Sequence, residues 1–246
     1  MRPAPSDRLP AEDFHDERYS QENVAFWLPW LVELGDLRRG QRALDVGCGT
    51  GGFAVAIAEE TGAQVVGCDR SPSFLAHARE RSAAVEWVHG DAESLPFADS
   101  SFDRVLMSLL LHQLEEPARA IEEAFRVLTR PGALVVRTVL PDAAAARIPF
   151  RFFPTLAQVQ AEQMPALDDV TAWTQAAGFD HVRVHEVLRN KHLEPEVVEA
   201  QLRTEVANRY PFLPAEELED GLRRMRETWD ARPDPRPVHF IVAEKP

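Results

Sequence analysis

With 246 residues and 45% hydrophobic content, the chain can build one α/β domain with a large core and is short for two. Its 27 Lys and Arg against 40 Asp and Glu leave a formal net charge of −13. That is a poor match to a phosphate backbone, so DNA or RNA as substrate is disfavoured.

No run approaches the ~20 apolar residues that cross a bilayer. Residues 1–10 lack the apolar stretch of a secretory leader, so the expected compartment is the cytoplasm. Residues 1–13 are rich in proline and charge and are expected to be flexible. Residues 14–40 read as a helical cap, with Tyr19, Phe26, Trp27 and Trp30 supplying aromatic bulk. Pro29 predicts a kink or boundary near Leu28.

The apolar run 43–46 reads as a buried first strand. It enters Asp45-Val46-Gly47-Cys48-Gly49-Thr50-Gly51-Gly52, and a helix with Phe53, Ala56 and Ile57 on one face follows, closing at Gly62. That is strand, glycine turn, helix, the opening half of a βαβ unit. A second strand, from 64, ends at Cys68-Asp69. Ser71-Pro72 is a helix start, a serine cap followed by proline in the first turn. A third strand, 85–88, runs into Gly90-Asp91-Ala92-Glu93.

The continuous apolar run 102–111 predicts a central fourth strand, and 117–129 a helix with Ile121, Ala124, Phe125 and Leu128 facing inward. Arg130-Pro131-Gly132 stops that helix before a fifth strand, 133–139. Residues 140–166, which include Phe150, Phe152 and Phe153, read as too irregular for a helix; those rings are expected to be core, the alternative being an apolar pocket, shared with Trp27 and Met107, for an aromatic or isoprenoid acceptor. A helix over 168–177 and a sixth strand over 181–188 follow. Residues 194–230 carry two helical patterns, the second with Leu218, Leu222, Met225 and Trp229 on one face. Residues 232–237 read as a proline-rich turn, and 238–243 as the last strand.

Strands alternating with helices at this spacing predict a doubly wound, mostly parallel sheet. Ligands in such sheets bind beyond the carboxyl ends of the strands. Asp45, Asp69, Asp91 and Ser108 all fall at or near those ends. The glycine turn lets a ligand approach the backbone. Asp69, 18 residues after Gly51, suits a ribose diol of either an adenosyl or a nicotinamide cofactor.

The ordered set of glycine turn, Asp69 and Gly90-Asp91-Ala92 resembles the class I S-adenosylmethionine-dependent methyltransferases. It is most similar to the group that includes ubiquinone- and menaquinone-biosynthesis methyltransferases, over residues 41–139. The resemblance implies a Rossmann-like, doubly wound seven-stranded sheet with an antiparallel last strand, a helical N-terminal cap and a helical insertion at 190–232. It implies a single methyltransferase domain over 14–246, S-adenosylmethionine as cofactor, a small-molecule methyl acceptor, and a monomer or homodimer.

By the same resemblance, Asp45 and the turn residues Gly47, Cys48, Gly49 and Gly51 meet the amino-acid end of the cofactor, Asp69 the ribose, and Asp91 with Ala92 the adenine. Tyr19, Arg70, Glu93 and Ser108 complete the expected cofactor set. His112, just past the fourth strand, is the candidate general base. The other seven histidines show no ligand spacing, and Cys48 and Cys68 read as small buried residues rather than as metal ligands. A nicotinamide-dependent oxidoreductase would need a second catalytic domain or a Tyr/Lys proton-donor pair, and neither is evident. A cofactor-binding relative without turnover is the other alternative.

Overall fold

The fold is that of a computed structural model, which describes residues 19–145, 147–191, 194–229 and 234–246. The expected flexible segment 1–13, the first residues of the cap (14–18) and the start of the proline-rich turn lie outside the described residues.

Helix α1 spans Gln21–Leu34, and the Ser20 hydroxyl accepts the Asn23 N–H at 3.3 Å as its cap. Pro29 does not end it. Ala25, whose carbonyl a proline at 29 leaves without its N–H, is exposed like Pro29, so water can take that bond. Strand β1 (Arg42–Val46) leads through the glycine turn into α2 (Gly52–Thr61). Gly62 stops α2 in the left-handed region, its N–H reaching the Ala58 carbonyl at 3.0 Å. Strand β2 is Gln64–Asp69, and α3 is Pro72–Arg81, capped by the Ser71 hydroxyl on the Phe74 N–H as the Ser-Pro pair predicts. Strands β3 (Glu86–His89) and β4 (Phe102–Ser108), helix α4 (Pro117–Val127) and β5 (Leu128–Thr138) follow.

The sheet has seven strands in the order β3-β2-β1-β4-β5-β7-β6, with β6 at Asp180–Lys191 and β7 at Asp234–Lys245. Strand β1 pairs in parallel with β2 and β4, β2 with β3, and β4 with β5. The sheet is mostly parallel, with the last strands antiparallel. The order reverses between β1 and β4, which places the topological switch point beside the glycine turn. Leu44, Val105, Leu106 and Val135, in the central strands, are buried, as their unbroken apolar runs require.

The chain divides into two compact units. One holds the described residues to Thr138 together with Asp168–His185, which includes α7 (Leu167–Ala177) from its second residue, and Phe240–Pro246. The other holds Val139–Leu167 and Glu186–His239. Its core is Phe150, Phe153 and Leu156 against Val198, Leu202 and Val206 of α8 (Pro195–Arg209) and Leu222 and Met225 of α9 (Ala215–Thr228). Leu218 and Trp229 pack on that cluster, so the four-residue face read from the sequence is real.

The 140–166 segment is more regular than its composition predicts. It forms α5 (Pro141–Ala145), a 3-10 turn (Ile148–Phe152) and α6 (Pro154–Gln163). Pro141, Pro149 and Pro154 sit in first turns, where the missing N–H has no partner to lose. Gly221 explains the close packing, since a Cβ there would stand 2.2 Å from the Phe153 ring.

Candidate active site

Four consecutive strand ends of the first unit build one cleft. Gly47 and Gly49 come from the turn after β1, and Cys68 to Ser71 from the end of β2. Gly90, Asp91 and Ala92 follow β3, and Leu110, Gln113 and Leu114 follow β4, with Phe74 of α3 on one side.

Gly47, Gly49 and Gly51 have φ of 70°, 56° and 82°, so the turn takes a path that other residues adopt only under strain. A Cβ on Gly47 would lie 2.7 Å from the Leu110 side chain, and one on Gly51 2.2 Å from the Trp87 indole. The turn's amides are used within the fold. Gly47 and Cys48 donate to the Cys68 carbonyl at 2.8 and 3.2 Å, and Gly51 to the Cys48 carbonyl at 3.0 Å. The turn therefore offers a ligand close backbone approach rather than a row of N–H donors at those three positions.

Asp69 is fixed by the backbone on both oxygens, accepting the Gly49 N–H and the Ser71 N–H at 2.8 Å each. Asp69 lines the cleft, which puts a carboxylate where hydroxyl donors of a ligand would meet it. Asp91 accepts the Glu93 N–H at 3.0 Å, which turns the chain so that Ala92 packs inward, 8% exposed. The lining is thus acceptor-rich and backbone-lined, which fits a nucleoside with a diol, an exocyclic amine and a positively charged tail.

Seven expected residues do not line the cleft. Tyr19 braces the turn, its hydroxyl donating to the Cys48 carbonyl at 2.9 Å and its ring lying where a Cβ on Gly52 would go. Asp45 is buried inside β1, opposite Gly67 and Leu106. Cys48 is buried, and Gly51 lies beside Trp87. Ser108 is buried at the end of β4. Glu93 accepts the backbone N–H groups of Glu115 and Glu116, each at 2.9 Å. His112 sits in the 3-10 turn Leu111–Gln113. With three residues per turn, Leu110 and Gln113 share a face and His112 stands about a third of a turn away.

The sequence reading missed Phe74, Leu110, Gln113 and Leu114 as cleft residues. Phe74 looked like ordinary helix core, and the last three were hidden by an apolar run that extends past the real end of β4.

Both cysteines are free thiols. Burial pushes the Cys48 thiol well up, with Asp45 and Asp69 adding to it, and burial with Asp69 pushes Cys68 to about 12. Neither supplies a thiolate at neutral pH, so neither is a nucleophile. Among the described residues no group of three His, Cys, Asp or Glu side chains is placed to hold a metal ion. No helix of the described residues is long and apolar enough to cross a membrane.

A doubly wound sheet with a glycine turn at its switch point and carboxylates on successive strand ends defines a nucleoside-cofactor domain. Residues 44–136 match the family model described as a methyltransferase domain. The chain is 36% identical over 130 residues to a demethylmenaquinone methyltransferase of Paenarthrobacter aurescens, covering 53% of this chain and 51% of that protein. It thus spans about half the length of the relative it matches. A putative methyltransferase from an antibiotic biosynthesis pathway of Anabaena variabilis superposes with a TM-score of 0.68 at 22% identity, over 89% of this chain and 96% of that one. The [4+2]-cyclase SpnF superposes with a TM-score of 0.62 at 25% identity, over 92% and 83%. The likeness to methyltransferases is thus one of residues 44–136, within a fold that solved methyltransferase structures share.

Proposed function

We propose that this chain transfers a methyl group from S-adenosylmethionine to a small-molecule acceptor, in the cytoplasm. The observation that carries this reading is Asp69, aimed by two backbone N–H groups into the cleft that also presents Gly47, Gly49, Asp91 and Ala92. Two free cysteines fit a reducing compartment.

Asp69 would hold the ribose hydroxyls, Asp91 and Ala92 the adenine, and the Gly47–Gly51 turn the amino-acid end. When bound, the cofactor supplies an electrophilic methyl on a sulfonium. The protein's part is alignment, which for well-oriented reactants lowers a barrier by ~7–11 kcal/mol. For a hydroxyl or amine acceptor, His112 would take the proton. Its place off the face shared by Leu110 and Gln113 suits contact with an acceptor rather than with the nucleoside.

The test is incorporation of labelled methyl from S-adenosylmethionine into a small-molecule metabolite extract by the purified chain, with His112→Ala alongside. Transfer is expected, slowed ~10²–10⁴-fold in the variant while affinity for S-adenosylhomocysteine stays nearly intact. Unchanged turnover would remove His112 as the base. Tight binding with no transfer to any fraction would favour a relative that has kept the cofactor and not the reaction.

A further inference from the structure

The segment after β4 starts on a strained path and is held by hydrogen bonds at both ends. Leu109 has φ of +53°, a region non-glycine residues adopt at a cost, and such outliers gather at functional sites. Three hydrogen bonds pin its start. The Leu109 N–H donates to the Arg137 carbonyl at 2.7 Å, and Gln113 Nε2 donates to the Leu109 carbonyl at 2.8 Å. The Gln113 N–H donates to the Leu110 carbonyl, also at 2.8 Å. Because a carbonyl only accepts, the Gln113 amide must turn its NH₂ group to Leu109.

The far end is pinned from another loop. Glu93 takes the Glu115 and Glu116 N–H groups on a single oxygen, just ahead of α4, where a carboxylate also complements the helix dipole. Glu93 in turn belongs to the loop whose Asp91 lines the cleft. Between the two pins lie Leu110, Gln113 and Leu114, all on the cleft, with Leu110 seated over Gly47.

We propose that Glu93 and Gln113 are positioning residues, a two-point clasp that holds segment 109–116 against the cleft and thereby sets cofactor affinity. The inference rests on the methyltransferase reading and adds residues to it. Glu93 acts through the backbone it fixes, without touching the reacting atoms. If the segment swings free when either pin is lost, the two pins act as one device, and their removal is not additive.

Calorimetric titration of S-adenosylhomocysteine into wild type, Glu93→Ala, Glu93→Gln, Gln113→Ala and the double alanine variant tests this, with thermal unfolding of each without ligand. Each single alanine variant is expected to bind about 10-fold more weakly, the size of one lost hydrogen-bonded anchor. The double variant should be scarcely worse than either single one. Glu93→Gln, whose amide oxygen still accepts, should recover most of the affinity. Unfolding midpoints should fall by only about 4 °C or less. Alanine variants that bind like wild type overturn the clasp alone, as would losses that simply multiply in the double variant. A wild-type chain that does not bind S-adenosylhomocysteine overturns the methyltransferase reading and the clasp with it.

Discussion

Asp69→Ala is expected to weaken S-adenosylhomocysteine binding by about 100-fold or more, the cost of losing two charge-assisted hydrogen bonds and the order they impose. The carboxylate does two things at once. It is the acceptor aimed into the cleft, and it ties the Gly49 N–H of the first turn to the Ser71 N–H at the start of α3. Its removal costs the ligand a partner and leaves two backbone donors to find water. Asp69→Asn separates the two roles, since the amide keeps one acceptor oxygen and loses the charge. Calorimetry on both variants should rank wild type above asparagine and asparagine above alanine. An alanine variant within twofold of wild type would show that the ribose is not held there.

The second large effect is on stability. Gly51→Ala should cost about 2–5 kcal/mol, by adding a left-handed penalty of ~1–2 kcal/mol to an overpacking term of ~1–3 kcal/mol. Both causes are visible, a φ of +82° and the Trp87 ring 2.2 Å from where the new Cβ would stand. Trp87 cannot retreat cheaply, because its indole N–H is held by the Ser82 carbonyl at 3.0 Å. Gly40 is the matched control. Its φ is +89°, and a Cβ there meets nothing within 4 Å, so Gly40→Ala should cost only the backbone term of ~1–2 kcal/mol. Urea unfolding of the two variants measures the difference directly. Equal costs would mean that Trp87 gives way and that the packing under the turn is not tight.

The elements that carry a local chemical signal were legible before the fold was known. Ser71-Pro72 marked the start of α3, Gly62 the end of α2, and the unbroken apolar runs marked β1, β2 and β4. These signals are local, so sequence alone contains them. The end of β4 was not legible. Leu109, Leu110 and Leu111 look like more strand, and the chain departs from it because the Arg137 carbonyl and the Gln113 amide, set by tertiary contact, fix Leu109 at positive φ.

The same limit hid one wall of the cleft. Asp69, Asp91, Gly47 and Gly49 belong to a recognisable pattern, whereas Leu110, Gln113 and Leu114 become cleft residues only through that turn. Pro29 makes no helix boundary, because a proline rule that holds in a buried helix relaxes on an exposed face. Glu93 was chosen for its place in the pattern, and its carboxylate turned out to serve a neighbouring loop.

The central claim is that an adenosyl sulfonium cofactor occupies the rim of β1 to β4. Parallel calorimetric titrations of the wild-type chain with S-adenosylmethionine, S-adenosylhomocysteine and NAD test it most directly. Saturable one-to-one binding of the first two, with no heat from NAD, is the expected result; tight NAD binding with no response to the other two would contradict it.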